Sequence, residues 1–72
     1  MKGKSQFTQN EADEIRRLLR SKVSADRDTQ KRLRDKMRKI GFYITDFSAS
    51  SEGFDESDFD VLIHQKRITI DS

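Results

Sequence analysis

Four basic residues, Arg27, Lys31, Arg34 and Arg38, recur at spacings of three and four along one stretch of this 72-residue chain. At ~100° per residue they fall in a narrow arc of a helix, well away from the apolar stripe Leu33, Met37 and Ile40 on the same stretch. The row runs eleven residues, roughly 16 Å at ~1.5 Å per residue, which suits a helix laid along a groove or across several phosphates. Arginine dominates it, and the planar guanidinium matches phosphate and guanine edges better than an ammonium does. Arg32, Lys36 and Lys39 flank the row. Asp28 and Asp35 precede Arg32 and Lys39 by four residues, the stabilising order for a helical pair, whereas the row itself has only the weaker three-residue spacings. The expected contact residues are therefore Arg27, Lys31, Arg34 and Arg38, with Arg32 and Lys36 beside them. A plainer reading stands next to this one: surface helices are often rich in Lys and Arg for helix propensity and solubility alone.

Other reactive patterns are thin. Asp55-Glu56-Ser57-Asp58-Phe59-Asp60 gathers carboxylates, but it lacks the alternating ligands, central glycine and distal glutamate of a calcium loop. Acids in a first helical turn, complementing its dipole, explain it more simply. His64 is the single histidine and cysteine is absent, so neither a zinc site nor a Cys/His nucleophile can be assembled. Ser48, Ser50 and Ser51 have no base near them in sequence, and there is no glycine-rich phosphate cradle. Phe42, Tyr43 and Phe47 could stack on bases, although core packing and a Phe42–Met37 contact explain most of them better. No enzyme, cofactor, metal or small-molecule substrate is expected.

The wider charge pattern supports a binding role. Residues 16–39 hold eleven Lys/Arg against three acids, and residues 40–63 hold six acids and no base. Each block could meet a partner of opposite sign. The first expectation is a nucleic-acid-binding module, with DNA favoured over RNA. The alternative is a protein-interaction domain meeting an acidic partner, or a second copy of itself, through opposed surfaces.

A chain of this length makes one domain at most and buries only about 60% of its unfolded surface, so its core is thin. A single domain is expected over residues 6–70, with flexible ends at 1–5 and 71–72. No apolar run reaches the ~20 residues of a membrane span, and Met1-Lys2-Gly3-Lys4-Ser5 has no apolar stretch behind it as a secretory signal would. A cytoplasmic location is expected.

The elements that must position these residues follow from pattern. Thr8 and Glu11 form a capping box before Ala12, Ile15, Leu18, Leu19 and Val23 on one helical face. Ser24 or Asp26 restarts a second helix, and Gly41 ends it in a Schellman turn that would bring Phe42 back on Met37. The helix, short turn, basic helix order is compatible with a helix-turn-helix, though the turn Val23-Ser24-Ala25-Asp26 lacks a glycine. Phe42-Tyr43-Ile44-Thr45 reads as a strand, residues 48–53 as a loop, and Asp55 caps a third helix with Phe54 and Phe59 as a hydrophobic staple. Arg67-Ile68-Thr69-Ile70 alternates like an edge strand. The spacing predicts helices over 8–22, 25–40 and 55–66 and strands over 42–45 and 67–70. The fold class is α+β, in the order helix-helix-strand-helix-strand, with a minimal two-stranded antiparallel sheet.

The string Leu33-Arg34-Asp35-Lys36-Met37-Arg38-Lys39-Ile40-Gly41-Phe42-Tyr43-Ile44-Thr45-Asp46-Phe47, followed by Phe59-Asp60-Val61-Leu62-Ile63, resembles a pattern of small uncharacterised bacterial proteins. The resemblance covers most of the chain. It implies a bacterial cytoplasmic source and carries no activity and no functional residue.

Overall fold

The computed structural model describes residues 3–49 and 53–71. The predicted ends at 1–2 and 72, and residues 50–52 of the predicted loop, lie outside the described residues. In chain order come a short strand β1 (Gln6–Thr8), helix α1 (Gln9–Val23), helix α2 (Arg27–Ile40), a 3-10 turn (Ile44–Asp46), helix α3 (Glu56–His64) and strand β2 (Thr69–Asp71).

The helix starts and stops follow their local chemistry. At α1 the Glu11 N–H donates to Thr8 Oγ1 at 3.1 Å, and the Thr8 N–H donates to Glu11 Oε1 at 2.9 Å. These bonds satisfy two of the donors that a helix start leaves open. At α3 the Asp58 N–H donates to Asp55 Oδ1 and the Asp55 N–H to Asp58 Oδ2, a second capping box. α2 ends as its glycine predicts: Gly41 has φ +112°, the Phe42 N–H donates to the Met37 carbonyl at 2.9 Å, and the Gly41 N–H donates to that of Arg38 at 3.0 Å. α3 ends through the same pair of bonds, Arg67 N–H to Leu62 O and Lys66 N–H to Ile63 O, but with Lys66 at φ +63° in the left-handed position.

α1 is the central helix, packing on α2, α3 and both strands. Ala12, Ile15, Leu18 and Leu19 are buried as the sequence predicts, but Val23 is not: it is 68% exposed, and Lys22 is buried in its stead at 3%. Ile15 and Lys22 are seven residues apart and centre the inner face, while Val23 lies about a quarter turn away. The core closes on Phe42. Its ring touches those of Phe7, Phe47, Phe54 and Phe59, with centroids 5.3–6.0 Å apart. Phe54 and Phe59 thus both pack on Phe42.

The sheet corrects the sequence reading. It is parallel, not antiparallel, and it joins β1 to β2 with Gln6 opposite Thr69, Phe7 opposite Ile70 and Thr8 opposite Asp71. The expected strand at 42–45 is absent. Phe42 and Ile44 are both drawn into the core, which a pleated strand with alternating faces also permits. The chain then curls: Asp46 N–H donates to Tyr43 O, and Phe47 and Ser48 N–H both donate to Ile44 O. Those groups are satisfied locally and leave no ladder to offer. β2 instead finds the residues just before α1, read from sequence as a helix entry, and all three helices fall between the paired strands in chain order. Residues 3–5, assigned from sequence to a flexible end, carry hydrogen bonds: Gly3 N–H to Asp46 Oδ2, Lys4 N–H to Gly41 O, and Ser5 O from Thr69 N–H, each 2.9 Å.

Candidate nucleic-acid interface

α2 owes its position to its two ends and one stripe. Asp26 caps it, accepting the Thr29 N–H at 2.8 Å. Hydrogen bonds from Thr29, side chain first and then backbone, hold the Asp26 carboxyl below its ordinary value, with a smaller contribution from the Arg32 charge. The Gln30 amide donates to the Lys22 and Ala25 carbonyls and ties the start of α2 to the end of α1. Leu33 and Met37 are buried against the rest of the protein, and among the helices α2 packs on α1. Ile40 packs partly against the same core, and the side of α2 opposite this stripe faces outward.

Of the residues singled out by sequence, Arg27, Lys31, Arg32, Lys36 and Arg38 are exposed, and Arg34 is half-buried. Arg27, Lys31, Arg32, Lys36 and Lys39 form no ion pair among the described residues. Arg38 lies over the Tyr43 ring, 5.7 Å from its centroid, with Asp35 Oδ1 3.7 Å away. Asp35 thus approaches Arg38 one turn on, rather than Lys39 as the four-residue spacing suggested. Arg34 has a contact of its own within the chain. Together with Arg38 it borders a notch of about 10 Å³ above Met37, Phe42, Ile44 and Thr45. That is space for about one water molecule.

The acidic block is engaged elsewhere. Arg16 and Arg20 of α1 pair with Asp60 and Glu56 of α3, the second at 2.7 Å. The Arg20 hydrogen bond holds the Glu56 carboxyl below its ordinary value, and the Arg20 guanidinium is raised in return. Asp55 and Asp58 cap α3, with the Ser57 hydroxyl donating to Asp55 at 2.6 Å, and Asp46 accepts the Gly3 N–H. Each of these five acids is thus engaged by a group of this chain, while Glu52 lies outside the described residues.

The aromatic expectation is narrowed. Phe42 is fully buried and has no face for a base; Tyr43 is half-buried beneath Arg38, and Phe47 is stacked on Phe42. What sequence reasoning missed is Lys22, whose ammonium donates to the Phe54 carbonyl at 3.2 Å inside the fold. Its seven-residue spacing from Ile15 was the available signal. Comparison of the chain with protein-family models, with curated proteins and with solved structures finds no match.

Proposed function

We propose that this domain is a non-enzymatic nucleic-acid-binding module that presents α2 to duplex DNA. One observation carries the reading: the two opposed charge blocks are not equally engaged within the chain. Asp46, Asp55, Glu56, Asp58 and Asp60 are engaged by α1, by a helix start and by the Gly3 N–H, whereas five bases of α2 form no ion pair among the described residues. A positive helix with neutralised surroundings attracts a polyanion, and the engaged acids leave the basic helix of a second copy no free opposite pole. The self-association form of the protein-interaction alternative needs an available acidic face on this chain, and Glu56 and Asp60 are already held by Arg20 and Arg16.

Titration of a fluorescent duplex across salt concentrations tests this. With about four to six phosphate contacts, log K falls against log[salt] with a slope of about −3.5 to −5.5, at about −0.9 per contact. Replacing Arg27 and Lys31 by Gln removes about two units of that slope. Absence of salt-sensitive binding to duplex or single strand overturns the proposal. So does a complex whose affinity depends on Asp55, Glu56, Asp58 and Asp60.

A further inference from the structure

We infer that α2 straddles the major groove of B-form DNA, one basic flank on each phosphate strand; this rests on the DNA-binding reading above. Around the helix at ~100° per residue, Arg27, Lys31 and Arg38 make one flank, and Arg32, Lys36 and Lys39 make a second roughly 130° from it. All six side chains are exposed. Between the flanks, on the pole opposite buried Leu33 and Met37, stand Asp28 and Asp35, also exposed.

This arrangement discriminates between binding poses. A helix laid outermost edge first along one strand would press both carboxylates against phosphates, and like charges at contact repel. A helix rolled onto one flank would leave half of its bases in solvent. Inserted in the groove, the same helix puts a flank on each wall and turns its carboxylates to the floor, away from the phosphates and toward the amino donors of cytosine. The dimensions agree: a helix with its side chains is about 10–12 Å across, and the major groove is about 12 Å wide. α2 also lies at the edge of the fold, packed chiefly on α1, so its outer half can enter a groove. The deep, narrow major groove of A-form RNA does not admit it.

The test uses the whole protein with a mixed-sequence 20-base-pair DNA duplex and the RNA duplex of the same sequence. Two double variants, Arg27→Gln with Lys31→Gln and Arg32→Gln with Lys36→Gln, are each checked for an unchanged melting temperature. The expected result is a loss of about two units of salt slope from each pair, at −0.9 per phosphate. Guanine N7, in the major groove, is protected from dimethyl sulfate, and adenine N3, in the minor groove, is not. The RNA duplex binds at least tenfold more weakly. If only the Arg27/Lys31 pair matters, or guanine N7 remains reactive, the straddling pose is wrong while DNA binding stands. Equal affinity for the RNA duplex also overturns it. Loss of all salt-sensitive binding removes both this inference and the function on which it rests.

Discussion

The Arg20 guanidinium lies 2.7 Å from the Glu56 carboxylate, tying α1 to α3 across 36 residues of sequence. With Arg16 on Asp60 one turn earlier in α1, it forms a seam in which the basic start of one block meets the acidic end of the other. Exposed ion pairs of this kind stabilise little individually. Their larger consequence is directional, because they neutralise Arg16 and Arg20 and leave α2 as the helix where five bases form no ion pair among the described residues.

That division separates stability from binding. Neutralising Arg16 and Arg20 together should lower the melting temperature slightly and leave the salt slope of DNA binding unchanged. Neutralising Arg27 and Lys31 should do the reverse. Thermal unfolding and fluorescence titration of the two double variants check this, and a lost slope in the α1 variant would contradict it.

Acid should destabilise the domain through its engaged carboxyls. Glu11, Asp26, Asp55 and Glu56 are all held below their ordinary values: Glu11 chiefly by the Thr8 backbone N–H, Asp26 by Thr29, Asp55 by the Ser57 hydroxyl and Glu56 by Arg20. The folded state then binds fewer protons than the unfolded one, so the stability they contribute is fully present above the unfolded values. It is lost as pH falls through the lower folded values. The melting temperature should hold steady down to about pH 5 and begin to fall below 4.5 for the glutamates and 3.8 for the aspartates. Glu56→Gln should shrink the drop, measured by circular dichroism at low ionic strength.

The two left-handed helix ends predict opposite outcomes. Gly41→Ala places a Cβ at φ +112° and should cost about 1–2 kcal/mol, since the Lys4 side chain it meets can move aside. Lys66 already bears that strain at φ +63°, so Lys66→Gly should stabilise by up to about 1 kcal/mol. Urea unfolding of both variants reads the signs directly.

Phe42→Ala should remove the ring on which four others rest. Truncating a buried phenylalanine costs about 3–5 kcal/mol, a large share of the stability of a domain this small. The variant should lose its cooperative thermal transition. Val61→Ser, at an exposed position, should change stability by less than about 0.5 kcal/mol.

Much of this was legible in the chain, because helix ends are local chemistry. Thr8 and Glu11, Asp55, and Gly41 with Phe42 each act within a few residues of themselves: α1 and α3 begin, and α2 ends, where those residues predict, whereas α2 starts at Arg27 rather than 25 and α3 stops at His64 rather than 66. The exposed bases of α2 were legible for the same reason: a period of 3.6 separates them from Leu33 and Met37 whatever the helix packs against.

Strand pairing was not legible, because a three-residue strand carries no local signal of its partner. Phe42-Tyr43-Ile44-Thr45 has the side chains of a strand, yet its backbone closes a turn on itself, and β2 pairs with residues more than sixty positions earlier. The ion pairs were likewise beyond the sequence. Composition shows eleven bases followed by six acids, but only the packing of α1 on α3 decides that Arg16 and Arg20 meet Asp60 and Glu56 while Arg27 and Lys31 face solvent. Short-range hydrogen bonds and periodicity are encoded residue by residue. The sheet partner and the open positive face depend on which surfaces the tertiary fold brings within reach of one another.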